Sequence, residues 1–188
     1  MTADTAACGD PVIAAHPGGP VTDVEQGIWG EGTATFDLSR AFRFRLSRVW
    51  DTSGPRVNFL MLNPSTADAF QLDPTVRRCV GFARDWGAGS LEVTNVFALR
   101  STDPKGLRRV SEPVGVGNDA AIVAAARAAD LVVFAWGSHA SYLGRERQVL
   151  DMLGAHGIPA VSLRLTSKGH PGHPLYLPAD SPRTPWVY

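Results

Sequence analysis

Cysteine is nearly absent: only Cys8 and Cys79 occur among 188 residues. They share no CxxC or Cys/His spacing, so neither a zinc ribbon nor a disulfide framework is on offer. Cys8 falls in an aperiodic opening stretch and Cys79 in a predicted helix, which argues against a bridge between them. An excess of one charge sign is missing too. Eighteen basic and eighteen acidic residues cancel, so the chain lacks the surplus positive charge with which proteins hold duplex nucleic acid mainly electrostatically. A local basic patch stays open, because net charge hides distribution. No apolar run is long enough to span a bilayer, and the first 23 residues lack a basic-then-apolar signal pattern. A cytoplasmic protein is expected, with no membrane and no obligatory protein partner. P-loop, GxGxxG and GxSxG motifs and a metal-ligand cluster are all lacking. No cofactor and no metal are expected.

What is present is globular: 44% of the chain is hydrophobic and 19% charged, enough for one domain with a substantial core. The expected organisation is a flexible leader over residues 1–27, one domain over 28–178 and an extended tail over 179–188. The domain is organised around Val57-Asn58-Phe59-Leu60-Met61-Leu62-Asn63-Pro64-Ser65-Thr66-Ala67-Asp68. Its first half is an apolar run of strand length, which reads as a strand buried on both faces. Pro64 cannot extend the ladder and holds Asn63 extended. Further buried strands are expected at Leu91–Arg100, Asp130–Gly137 and Pro159–Leu165. Helices alternate with them. One runs from Asp73, an N-cap followed by Pro74, to about Trp86; another from Gly117 to Ala129; a third from Tyr142 to His156, with Arg145 exposed. This alternation predicts an α/β fold of three layers, α/β/α, around a central mostly parallel sheet, with an N-terminal strand pair at Thr33–Phe36 and Phe42–Leu46. In that pair Phe42, Phe44 and Leu46 share one face, and Arg43 and Arg45 share the other, where they either touch phosphate or, the favoured reading, are solvated.

In open α/β sheets ligands bind beyond the carboxyl ends of the strands. Four strand ends deliver polar groups there: Asn63, Asn95 with Arg100, the Trp136-Gly137-Ser138-His139 turn, and His170 or His173. Asn95, an amide inside an apolar strand, needs partners; it either ties down a loop or reads a ligand. Asn63-Pro64-Ser65-Thr66 is either a plain strand-ending turn or a pocket corner. Arg77, Arg78 and Arg100 are either phosphate clamps or solvated ends. Trp136 reads as core. Ser65 has no base at a known spacing, which disfavours a serine nucleophile, and Asp73 is explained by capping.

The ordered set Leu-Asn-Pro-Ser, Val-Thr-Asn-Val, Val-Val-Phe-Ala-Trp-Gly-Ser-His-Ala and His-Pro-Leu resembles the uracil-DNA glycosylase superfamily over about Val57 to Tyr176. More closely, Met-Leu-Asn-Pro-Ser-Thr-Ala-Asp, Asp-Pro-Thr-Val-Arg-Arg-Cys, Asn-Val-Phe-Ala-Leu-Arg-Ser-Thr-Asp-Pro and Gly-His-Pro-x-His-Pro-Leu-Tyr resemble a bacterial family known only as a domain of unknown function. The superfamily resemblance implies hydrolysis of an N-glycosidic bond. Asn63 would position the water, with Asp68 as the nearest carboxylate to assist. His173, preferred to His170, would stabilise the departing base. Asn95 would read the base edge, and Phe70 or Phe97 would stack on its face. Met61 stands where the superfamily has Gly, and the late loop lacks the Ser-Pro and basic residue that grip a DNA strand. The implied substrate is therefore a nucleobase-containing small molecule, or single-stranded or damaged nucleic acid. Two rivals stand beside this: a non-catalytic nucleotide or modified-base binding module on the same fold, and a hydrolase or transferase using Asp68 and Asp73.

Overall fold

The computed structural model describes residues 19–188. Its strands are β1 (Val21–Gly27), β2 (Gly30–Phe36), β3 (Arg43–Val49), β4 (Arg56–Met61), β5 (Ser90–Asn95), β6 (Leu131–Phe134), β7 (Val161–Ser162) and β8 (Thr184–Pro185). Its helices are α1 (Pro74–Asp85), α2 (Asn118–Ala128) and α3 (Arg145–Ala155). The strands form one eight-stranded mixed sheet in the order β1-β2-β3-β5-β4-β6-β7-β8. Only the β5-β4-β6-β7 centre is parallel; every other pairing is antiparallel. This corrects the mostly parallel expectation. Short turns join the first three strands into a meander, and the tail returns antiparallel onto β7.

β4 and β5 are buried along nearly their whole length, as their apolar runs demand. Alternate residues feed two separate cores. Phe59 and Met61 pack with α1 through Val76, Cys79 and Phe82. Leu60, Phe134 and Trp136 pack with Ile122 of α2 and Leu153 of α3. Each fully buried side chain of this size contributes about 1.5–3 kcal/mol. Helix α1 begins as its sequence dictates: Asp73 accepts the Val76 amide at 2.8 Å, and Pro74 occupies the first turn. At its end Trp86 stacks on Phe59, with ring centroids 5.8 Å apart.

Three expectations change. The expected leader falls partly outside the described residues, and the rest of it contains β1. There Val24 is exposed while Asp23 turns inward and pairs with Arg40, so the strand carries no apolar face to read. On β3 a bulge leaves Phe44 unpaired, with Thr35 opposite Arg45 and Phe36 opposite Arg43. One extra residue flips the preceding side chains to the other face. Phe42 and Phe44 therefore join the second core, and Arg43, expected in solvent, is buried beside Phe36. Arg145 is buried as well, donating to the Val96 carbonyl at 2.7 Å and pairing with Asp119.

The tail is extended but docked. The Trp186 amide donates to the Ala160 carbonyl at 2.8 Å, and the Tyr188 hydroxyl to the Ile158 carbonyl at 2.6 Å. Both rings meet Phe134 edge-on, with centroids 5.5 and 6.1 Å away. Trp186→Ala is expected to lower unfolding stability by about 2–3 kcal/mol in denaturant titration, less than a fully buried Trp would lose. Burial also pushes the Tyr188 hydroxyl from its ordinary 10.0 to about 12. The folded state thus holds this proton more tightly, and its contribution is complete below pH 10 and lost as pH rises towards 12. Tyr188→Phe should flatten that alkaline loss in thermal melts.

Candidate functional site

A cleft of about 770 Å³ opens beyond the carboxyl ends of β4, β5 and β6, within the roughly 300–1,000 Å³ typical of ligand pockets. β5 lies on one side of β4 and β6 on the other, so the crevice sits where successive connections run in opposite directions, the usual ligand position in such sheets. Met61, Leu62, Val76, Val93 and Trp136 supply apolar walls.

Asn63 enters the cleft directly after β4. Its Nδ2 donates to the Pro64 carbonyl at 2.9 Å and the Ser101 carbonyl at 2.7 Å. Both partners are acceptors, which fixes the amide orientation. Its Oδ1 accepts from no described residue, leaving an acceptor for a water or a ligand. The Ser101 amide in turn donates to the Pro64 carbonyl at 2.8 Å, so the ends of the two central strands are tied together.

Asn95 closes β5 and is 2% exposed. Its carbonyl accepts from Asn118 Nδ2 at 2.9 Å, and its Oδ1 faces Arg43 Nη2 at 3.5 Å. Its Nδ2 donates to no described residue. The sequence left open whether Asn95 ties a loop or faces a ligand; its backbone carbonyl braces the start of α2, and its side chain lines the cleft. Arg43, also 2% exposed, lines the cleft and donates from Nη1 to the Ala67 carbonyl at 2.6 Å. Its Nε has no partner among the described residues. Burial lowers the Arg43 guanidinium to about 10; Asp73 and Asp68 oppose that shift, while Arg100 and Arg48 add to it. Desolvating such a charge costs on the order of several kcal/mol.

His173 reaches the cleft from the late loop. Its Nδ1 accepts the Leu175 amide at 3.4 Å, which leaves the ring proton on Nε2 as a donor. Burial lowers the imidazole below its ordinary 6.5, and Asp73 pulls it back up. The loop is pinned from two sides. Gly137, at φ 70°, turns the chain after β6 and donates its amide to the Pro171 carbonyl at 2.8 Å. Glu146 accepts from Trp136 Nε1 at 2.9 Å and meets His170 Nδ1 at 2.7 Å.

Ser65, Ser138 and His139 also line the cleft. The remaining expected site residues do not. Asp68 closes a local turn, accepting the Phe70 and Gln71 amides at 2.8 Å each. Phe70 is exposed away from the cleft, and Phe97 is sealed in the second core against Tyr142. Pro64 is buried and Thr66 exposed outside the lining. Arg77 reaches back to the Leu72 carbonyl, Arg78 holds the Leu177 carbonyl at 2.6 Å, and Arg100 lies over Phe36. His170 serves the Glu146 contact, so of the two histidines His173 is the one in the cleft. Trp136 is core and wall at once. No three His, Cys, Asp or Glu side chains gather as a metal site among the described residues.

Residues 43–175 match the family described as "Protein of unknown function (DUF1643)". The chain belongs to this family. No curated protein and no solved structure matches it. The DUF1643 segment opens at Arg43 and contains Asn63, Asp73, Asn95 and His173. Arg43 and Asp73 line the cleft although the sequence favoured a solvated face for the first and a helix cap for the second. Nothing in the local pattern marks the bulge that turns Arg43 inward, and Asp73 was already accounted for as a cap. Its second role predicts a separation: Asp73→Asn, an equally good N-cap, is expected to leave stability within about 0.5 kcal/mol while lowering the His173 titration midpoint further. An NMR titration of the histidine ring protons reads that shift; a raised midpoint would contradict it.

Proposed function

We propose that the cleft hydrolyses the N-glycosidic bond of a nucleobase, in a free nucleoside or nucleotide or in single-stranded or damaged nucleic acid. On this reading the helices against both faces of the parallel centre form a three-layer fold like that of the uracil-DNA glycosylases. The observation that carries it is the meeting of Asn63, Asn95 and His173 in the lining of one cleft, each with a side-chain atom (Oδ1, Nδ2 and Nε2) that bonds to no described residue. The amide of Asn95 donates to a carbonyl on the base edge. Asn63 Oδ1 accepts from a water and aims it at the sugar carbon. The carbon–nitrogen bond breaks with its electron pair going to the base, and the charge that gathers there is met by His173 Nε2–H. The water oxygen bonds to the sugar carbon and its proton passes to a carboxylate. Asp73, which lines the cleft, takes that part in place of Asp68. The products are the free base and a sugar with a hydroxyl where the base was.

A neutral donor is what this step needs, and burial favours the neutral imidazole. A second reading, a module that binds a nucleotide or modified base without cutting it, gains from Asp68 being turned away and from both Asn63 N–H groups serving the backbone.

Base release from nucleosides, nucleotides, uracil-containing DNA and single-stranded oligonucleotides, followed by chromatography, separates the two. His173→Ala is expected to reduce release by about 10²–10³, the loss seen when one stabilising donor is removed. Asn63→Ala should abolish release and also lower stability by about 1–2 kcal/mol through its two lost hydrogen bonds. Undiminished release from both variants would refute the assignment. No release, with a rise in melting temperature on adding one nucleotide, would establish the binding module.

A further inference from the structure

Four arginine side chains are drawn into or against the sheet; two have a carboxylate, and Arg48, 4% exposed, is spent on the Ser47 and Asp68 carbonyls. Arg145 pairs with Asp119, and Arg45 with Glu92. Arg43 does not: among the described residues no carboxylate lies within ion-pair distance of it. Of the two arginines that line the cleft among the described residues, Arg43 is 2% exposed and Arg164 lies open to solvent. The contacts of Arg43 are two neutral oxygens, Ala67 O at 2.6 Å and Asn95 Oδ1 at a long 3.5 Å, and its Nε has none. A buried guanidinium with vacant donor capacity is an unfinished contact. Arg48 and Arg100 bias the same spot positively, against Asp68 and Asp73.

Arg43 also decides what Asn95 offers. By taking the Oδ1 side it leaves the amide N–H groups for the ligand. The innermost end of the cleft therefore presents donors, framed by Met61, Val76 and Val93. An edge carrying an amino group would bring donor against donor; an edge of carbonyl oxygens and a deprotonated ring nitrogen would complete both residues.

We infer that Arg43, with Asn95, forms the recognition site for an acceptor-only, negatively charged edge of an oxidised nucleobase, and that the cleft selects oxo-bases against amino-bases. This rests on the nucleobase reading of the cleft, and it adds Arg43 as the specificity-determining residue.

Binding, read without turnover, tests it. Calorimetric titrations would use four free probes: urate, whose ring is deprotonated at neutral pH, orotate, whose charge sits on an exocyclic carboxylate beside its ring carbonyls, adenine as the amino-edged control, and inorganic phosphate. Wild type would be compared with Arg43→Met and Arg43→Lys. The expected result is binding of urate or orotate in preference to adenine and phosphate. Arg43→Met should weaken that binding about tenfold or more, the scale of one charged hydrogen bond, and Arg43→Lys should restore part of it. Melting temperature distinguishes site from scaffold: replacing a buried unpaired cation by an apolar side chain should leave it unchanged or raise it. Adenine binding as tightly as urate, equal urate binding by Arg43→Met, or no binding of either anionic base would each overturn the inference. Phosphate as the tightest probe would overturn the base-edge assignment. If the anionic bases bind but no glycosidic bond is cut, the proposed hydrolysis fails while this assignment stands.

Discussion

The two hydrogen bonds from Asn63 Nδ2 to the Pro64 and Ser101 carbonyls hold the site together. The parallel centre of the sheet has to stop, and stopping leaves backbone groups without ladder partners. Pro64 ends β4 by removing a donor, and the Ser101 amide closes back onto the Pro64 carbonyl. Asn63 then satisfies the Ser101 carbonyl. A side chain that saturates the ends of two neighbouring strands is held in one rotamer, with its oxygen set apart for a ligand. Preorganisation of this kind is what a water-positioning or base-reading residue requires.

The same economy recurs around it. Asn118, at the start of α2, supports the Asn95 carbonyl, and Glu146 on α3 links Trp136 to the His170 loop. Helices from the second core thus brace groups that face the cleft, while α1 contributes Asp73 from the other side. Charge is likewise local. The whole chain is neutral, yet Arg43 sits buried in the lining of the cleft, and Asp73 acts on both Arg43 and His173. Net charge carried no information about this arrangement.

Much of the frame was legible beforehand. The apolar runs of β4 and β5 and the Asp73-Pro74 start signal are strong local patterns, and they placed Asn63 and Asn95 at adjacent strand ends. Three features were not legible. β1 is an edge strand whose half-buried positions are Val21, Asp23 and Glu25, so no apolar alternation marks it. β7 shrinks to Val161–Ser162 although seven residues have strand character, because the chain turns off to form the loop carrying His173. Arg43 depends on a bulge, and a one-residue slip reverses every facing inference drawn from alternation. Phe70 and Phe97 failed as stacking partners for a plain reason: an aromatic near a site in sequence is as readily core or surface, and only packing decides.

The central claim is that ligand contact falls on Asn95 Nδ2 while the Asn63 N–H groups stay with the backbone. Side-chain amide spectra of the ¹⁵N-labelled protein, recorded as urate is titrated in, test it most directly. The account predicts large shifts for the Asn95 NH₂ pair and small ones for Asn63, with the Arg43 Nε–H resonance moving alongside Asn95. Shifts confined to the groove around Val123 and Met152 between α2 and α3, or an Asn95 pair that does not move while urate binds, would contradict it.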